Sequence, residues 1–297
     1  MTMKTGMLRS KLARLRRSTI AGSGLKLRQD VETGRPGTKA MAGLTVLGDL
    51  RGLRRDTIIS LAPHRHPMKA LCVGEGDSEA AAPTSALKLF KIRFADSDGR
   101  RRSASFLVQR RYAWRGYQVE TPLAVQQSRI TLSAYDGDDV VATISVRQDS
   151  ASGLFVDALF GHELKSLRAR GGTVCEFTKL AIDEAIKSKA VLAALFHSAY
   201  IHARRIGSCT DLVVEVNPRH VRFYERMLGF RLIGSARIDP RIDAPAALLH
   251  LDLSHAEAEI AKFGGRPELG AQVRSLYPFF FSSQEEAGIE RRLRAFA

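Results

Sequence analysis

Residues Thr210–Phe230, TDLVVEVNPRHVRFYERMLGF, constrain the fold more than any other stretch of this chain. Leu212–Val216 is a mostly apolar, β-branched run that ends at Asn217-Pro218, as a buried strand does. A short helix follows, with Pro218 just inside its start and Gly229 just past its end. Tyr224 stands about two turns into that segment. A strand that empties into a helix presenting one phenol can wall an acyl-thioester site. It is also the strand–turn–helix of many α/β domains, so the rest of the chain has to decide.

Around this segment the pattern alternates between periods of two and of 3.6 residues. Strands are expected at Leu87–Ala95, Ile130–Tyr135, Val140–Val146, Thr173–Ile182, Arg231–Ile238 and Ala246–Leu253. The second and third of these are joined by DGDD, a credible hairpin turn. Helices are expected at Ser103–Tyr117, Val156–Arg170, Ser188–Ile206, His255–Phe263 and Gln284–Phe296. The longest carries a stripe of Val191, Leu195, Ala199 and Ala203 at helical spacing. No internal repeat is present. This order predicts an α/β (α+β) fold: one sheet of mixed direction with helices on both faces.

The formal net charge of +15 matters less than its distribution. Residues 1–70 hold 15 Lys/Arg against 4 Asp/Glu, a net of +11, which leaves +4 for the other 227 residues. Residues 1–85, through the small and acidic stretch Gly74–Ser85, therefore read as a basic, largely disordered leader and linker. A solvated tail is the simplest role. Contact with anionic lipid, where clustered Lys/Arg contribute about 1 kcal/mol each, and a cleavable transit-like segment compete with it. A nucleic-acid arm is disfavoured, because the first 70 residues contain no aromatic side chain for stacking on bases. Met68 offers an alternative start. The body is assigned to residues 86–254, with 255–297 as a helical extension packing on it.

Cys72, Cys175 and Cys209 form no CxxC pair and no disulfide framework, which points to a reducing compartment. No apolar run approaches the ~20 residues of a spanning helix. The cytoplasm is the expected location, with peripheral membrane contact through the leader left open. The histidines lack metal-ligand spacing, and neither a metal nor a cofactor is expected.

Glu176 is the sharpest chemical candidate. A carboxylate inside the apolar strand TVCEFTKLAI has its charged form disfavoured, which lifts its pKa toward values useful in a base. Its structural alternative is an ion pair with Lys179 or a neighbouring arginine. Lys179 would face away from Glu176 in a regular strand, and a β-bulge between them would turn both toward the cleft. Tyr224 can return a proton to a leaving thiolate or simply pack with its polar tip wet. Asn217 can bond pantetheine amides or cap the helix. Lys187, Ser188 and Lys189, at a helix start, suit a phosphate. Arg110 and Arg111 are candidates to hold a substrate carboxylate.

The runs ASFLVQRRYAWRGY, VVATISVRQDSASGLFVDALF, VCEFTKLAID and VLAALFHSAYIHARRIGSCTDLVVEVNPRHVRFYERMLGF together resemble the N-acyl amino acid synthase family. That family is a bacterial GNAT-like group related to the acyl-homoserine-lactone synthases. The resemblance implies a GNAT-like, mostly antiparallel sheet whose central strands, Thr173–Ile182 and Asp211–Asn217, splay into a V around an acyl-pantetheine arm. It implies a long-chain acyl donor on acyl carrier protein, an amino acid acceptor, and Glu176 as base, with Phe177, Leu180 and Ile182 along the acyl path. Lys179 stands where the lactone synthases carry an arginine, and lacks its planar fork. Ala142 and Ser145 replace a usual Gly and Arg of the preceding strand. DEAIKSKA, after Ile182, lacks the Gly-rich pyrophosphate loop of CoA-using relatives, which favours a carrier-protein donor. Two rivals follow: a lactone synthase using S-adenosylmethionine, and a non-catalytic acyl-thioester-binding module.

Overall fold

Eight strands form one sheet in the order β1-β2-β3-β4-β5-β6-β8-β7, and a single parallel pair, β5 with β6, interrupts its antiparallel run. The computed structural model describes residues 57–61, 90–113, 116–117, 129–186 and 188–296. The chain divides into two units, Met1–Met41 and Ala42–Ala297. The first lies wholly outside the described residues, as do Cys72, Lys187 and the linker 74–85.

The strands are β1 (Thr57–Leu61), β2 (Phe90–Phe94), β3 (Arg129–Asp136), β4 (Asp139–Gln148), β5 (Val174–Ile182), β6 (Asp211–Val216), β7 (Arg231–Asp239) and β8 (Ala244–Asp252). The helices are α1 (Asp98–Ala113), α2 (Asp157–Ala169), α3 (Lys189–Tyr200), α4 (Val221–Leu228), α5 (Leu253–Phe263) and α6 (Ser283–Arg294). These follow the sequence reading within a few residues, with two differences. The long helix ends its α-helical part at Tyr200 and runs on as a π-helical turn, Ile201–Ile206.

The second difference corrects the expected leader. Thr57–Leu61 lies inside the stretch read as disordered, yet it pairs antiparallel with β2 and buries Ile58, Ile59 and Leu61. The segment TIISL is short, and β2, which completes it, lies about 30 residues later in sequence. Local composition therefore hides it. The body of the fold begins before residue 86.

Period-two alternation makes the sheet two-faced. Ile92, Leu132, Ala134, Ile144, Val146, Cys175, Phe177, Leu212, Val214 and Leu249 share one face and join the main apolar cluster. Helices α3 to α6 cover that face. Residues Ala190–Tyr200 of α3 are all buried, as expected of a helix apolar on every side. In the segment Leu276–Phe281, LYPFFF, the five side chains other than Pro278 are buried in the same cluster at 3% exposure or less. Its backbone is held there: the Phe281 N–H donates to Nδ1 of the buried His197 at 2.9 Å.

On the other face α2 packs over the β6-β8-β7 side, through Phe160, Leu164, Leu167, Val174, Val213 and Leu248. Helix α1 packs through Leu107 and Val108 against Ala181. Between these two apolar contacts the sheet is polar.

The burial of β1 is testable. Each of its three apolar side chains contributes about 1.5–3 kcal/mol on burial. A chain begun at Met68 lacks β1 and leaves the β2 edge bare, which invites strand pairing between molecules. It is expected to unfold at a clearly lower urea midpoint and to aggregate sooner. An unchanged midpoint would refute the place of β1 in the folded core.

Candidate active site

The β5–β6 pair is short. Register runs from Val174 opposite Asp211 to Phe177 opposite Val214 and then stops, although β5 continues to Ile182 and β6 to Val216. The two strands part after four residues. Beyond Phe177, among the described residues, β5 has no ladder partner on its β6 side, so backbone groups there can pair with a ligand.

At the parting point β5 also bulges. Thr178 opposes Ser145 and Ala181 opposes Thr143, so Lys179 and Leu180 together face one residue of β4. Lys179 takes the left-handed conformation, φ 53°. A non-glycine residue pays roughly 1–2 kcal/mol for that geometry. Such strain is concentrated where function holds it in place.

Glu176 lies two residues before the bulge step, on the polar face of the sheet. It is 1% exposed, and its Oε2 accepts the Phe155 N–H at 2.8 Å. Burial raises its pKa to about 7. The Phe155 hydrogen bond and the charges of Arg147 and Arg241 oppose the rise, while Glu215 adds to it. A carboxylate near 7 is divided between its two protonation states at neutral pH, which suits a general base. The alternative of an ion pair with Lys179 is not realised: among the described residues no carboxylate lies within ion-pairing distance of that lysine. The bulge is present but turns Lys179 toward Arg129, and burial together with that like charge lowers its pKa to about 8.

A second carboxylate stands across the gap. Glu215 shares the polar face, because Glu176 is in register with Val213, two residues earlier on β6. Burial lifts Glu215 to about 7 as well, against the attraction of Arg241. Both Glu215 oxygens accept from Arg241 Nη2, at 2.9 and 2.8 Å. Arg241 also donates to Asp239 and to the Phe155 carbonyl. Phe155 thus supports both walls, its N–H bonding Glu176 and its C=O bonding the clamp on Glu215. The signal that marked Glu176, one acid in an apolar strand, is present for Glu215 in DLVVEV and was not weighed there.

Two phenols from the end of α1 reach the same gap. Tyr112 Oη lies 3.5 Å from the Leu180 carbonyl, and Tyr117 Oη accepts from Asn217 Nδ2 at 2.9 Å. One phenol thus touches each diverging strand. Tyr224 lies near Tyr112, packed edge-on against Phe196, Phe223 and Phe230. Burial, with Tyr112 beside it, raises its pKa, so it stays protonated.

The other sequence candidates divide clearly. Phe177 is in the apolar core, and Leu180 and Ile182 pack against it from partly buried positions. Asn217 is fully used as a cap: Oδ1 accepts from the Arg219 N–H, and Nδ2 also donates to the Pro245 carbonyl. Ser188 caps α3 by accepting from the Val191 N–H at 3.4 Å, and Lys189 sits over the Phe279 ring. Lys187 lies outside the described residues. Arg110 and Arg111 are placed away from Glu176. They pair with Asp183 and Glu184, the chain's own carboxylates past the end of β5. Asp183 is seven residues from Glu176 along the strand, roughly 20 Å, so neither arginine is brought to it.

Comparison with known proteins agrees with this geometry. The family described as "N-acyl amino acid synthase FeeM" matches residues 103–252, half of the chain and all of the site above. The solved structure of FeeM, an N-acyl amino acid synthase from uncultured soil microbes, is 27% identical with a TM-score of 0.52, covering 57% of this chain and 93% of that one. A putative N-acetyltransferase from Lactobacillus plantarum is 18% identical, TM-score 0.42, covering 55% and 98%. The acyl-homoserine-lactone (AHL) synthase LasI is 12% identical, TM-score 0.41, covering 56% and 91%. No curated protein matches in sequence. The fold is that of the solved FeeM structure, and the chain belongs to the FeeM family of N-acyl amino acid synthases.

Proposed function

We propose that this acyltransferase moves a long-chain fatty acyl group from the phosphopantetheine thioester of an acyl carrier protein to the amine of an amino acid. The observation that carries the reading is Glu176: a buried carboxylate with a pKa of about 7, at the point where β5 and β6 part, inside the family-matched segment.

In this reaction the pantetheine arm lies between the diverging strands and bonds the open edge of β5. Glu176, directly or through one water, takes a proton from the acceptor ammonium. The free amine attacks the thioester carbonyl, and backbone N–H groups near the bulge face the oxyanion. The attacking nitrogen then gives up its extra proton, which passes through water or Tyr224 to the thiolate expelled as the tetrahedral intermediate collapses. Raising the phenol pKa weakens it as an acid, which favours water as the final donor and leaves Tyr224 a hydrogen bond to the leaving sulfur. The donor is assigned to a carrier protein because DEAIKSKA after β5 offers no Gly-rich loop for a pyrophosphate. No metal or cofactor enters this scheme.

Incubation of the protein with acyl-carrier-protein thioesters and single amino acids is expected to yield N-acyl amino acids by mass spectrometry. Glu176→Gln is expected to lower kcat by about 10²–10⁴-fold, the usual contribution of a positioned base. Unchanged turnover in that variant would remove the base assignment. Release of a lactone from S-adenosylmethionine would assign the rival activity instead.

The same substitution has a thermodynamic signature. The folded state holds the Glu176 proton more tightly than the unfolded chain does, because its pKa rises from 4.5 to about 7. The stability this provides is fully present below the unfolded pKa and is lost as pH rises through the folded one. Glu176→Gln removes the titration. Between about pH 5 and pH 8 the variant should therefore gain on wild type by on the order of 3 kcal/mol, read by urea unfolding across pH. Parallel stability curves would contradict the buried, raised carboxylate.

A further inference from the structure

Arg147 is buried on the polar face beside Glu176 and, among the described residues, lacks the counter-ion such a residue needs. It is 6% exposed and stands in register with Glu176 on β5 and with Arg129 on β3. Among the described residues no carboxylate lies within ion-pairing distance of it. Its guanidinium carbon lies over the Phe155 ring, 4.4 Å from the centroid, and among the described residues its N–H groups have a single hydrogen-bond contact. One of them reaches Ser152 Oγ at 3.3 Å. Among the described residues Nε has no hydrogen-bond partner.

The nearby acids are already engaged. Asp157 is held by Arg168 and by the Leu154 N–H, and Glu176 Oε2 by the Phe155 N–H.

The surroundings add positive charge rather than cancel it. Arg129 is directly opposite Arg147, and like charges in such a cross-strand pair repel. Burial and the nearby Arg129 depress the pKa of Lys179, and burial and the nearby Arg147 depress that of Arg129. Neither has a carboxylate partner among the described residues. Next to them the Thr178 hydroxyl is buried and unbonded. Three cations, one carboxylate and an orphan hydroxyl thus share one strip between the α1 and α2 contacts. Breaking or omitting one partner of a buried ion pair is costly, so a strip of this kind calls for an anion.

We infer that Arg147, with Arg129 and Lys179 beside it, binds the α-carboxylate of the acceptor while Glu176 receives its amine, so that the site selects free α-amino acids over amines without that carboxylate. The inference rests on the acyl-transfer reading above and deepens it. Directly opposed residues have Cβ atoms about 4.5–5.5 Å apart. Arg147 and Glu176 can therefore grasp the two charged groups borne by one α-carbon. Arginine suits the task because its fork meets both carboxylate oxygens. Phe155 then has three duties: its ring orients Arg147, its N–H holds Glu176, and its carbonyl holds the Arg241 clamp.

The test uses the full-length protein, an acyl-carrier-protein thioester, and paired acceptors: a free amino acid and its carboxamide. Steady-state kinetics are combined with the Tm shift that each acceptor causes in the absence of donor. Wild type is expected to prefer the free acid and to be stabilised by it alone. In Arg147→Gln the KM for the free acid should rise about 10–100-fold, as expected for loss of a hydrogen bond to a charged group. The effect on kcat should be much smaller, the free-acid Tm shift should vanish, and Arg147→Lys should recover part of each.

Equal use of acid and carboxamide by wild type would overturn the subsite and leave acyl transfer standing. So would a preference that survives in both Arg147→Gln and Arg129→Gln. If no amine is acylated, the reaction is what fails, and a Tm shift specific to the free acid still decides the subsite. Should Arg147→Gln not fold, the half-buried Arg129→Gln and the wild-type comparison decide it.

Discussion

The early end of the β5–β6 pairing is the constraint from which the site follows. Parallel neighbours need a crossover, and α3 with its π-helical turn supplies it on the apolar face. That leaves the two strands in contact only where Val174–Phe177 meets Asp211–Val214. Past this point each strand is held from its outer side, β5 by β4 and β6 by β8. The gap is therefore kept open by the rest of the sheet rather than by anything inside it. The bulge at Lys179 belongs to the same arrangement, since it lets β5 bend away while staying in register with β4 on both sides of the extra residue.

The polar face is a cost that the apolar face makes tolerable. Ser133, Thr143, Ser145, Arg147 and Glu176 are all buried at 6% exposure or less. Two carboxylates there are raised to about 7, and Ser133, Thr178 and Arg147 each retain an unbonded polar atom. A sheet selected for stability alone would carry apolar residues at these positions. The opposite face offsets the cost with a continuous cluster reaching from Ile58 in β1 to Leu293 in α6. This is why the C-terminal LYPFFF segment and the β1 strand matter to a site they do not touch.

What the sequence revealed and what it concealed have the same physical origin. Alternation within one strand is local, so the elements, the two-faced sheet and Glu176 were legible. A partner 73 residues away is not, and so the pairing of Arg110 with Asp183 and of Arg111 with Glu184 cannot be read from the helix that carries the arginines. Arg147 was obscured in the opposite way. In SVRQDS it stands at the end of a strand, beside turn chemistry, where an arginine usually meets solvent. Only its register with Glu176 and the ring of Phe155 show that it is inside. Asn217 had a capping and a ligand-binding reading open and makes the cap, and Ser188, read with its two lysines as suited to a phosphate, caps α3.

Alternation also separates the two halves of the proposed reaction. Along β5, Glu176 and Thr178 point to the polar face, whereas Cys175, Phe177, Leu180 and Ile182 belong to or pack against the apolar cluster. Without the bulge, the period of two would reverse after Thr178 relative to β4, carrying Leu180 to the polar face and Ala181 away from α1. The extra residue absorbs that reversal. Ala181 keeps its contact with Leu107 and Val108, while Phe177, Leu180 and Ile182 all stay on the side of the main apolar cluster. In the proposed reaction an acyl chain and a charged amino acid must meet at one carbonyl while remaining in opposite solvents. A single strand with opposed faces, opened on one edge, provides that meeting point, and the residue bearing the strained φ is the one that keeps the two faces from exchanging.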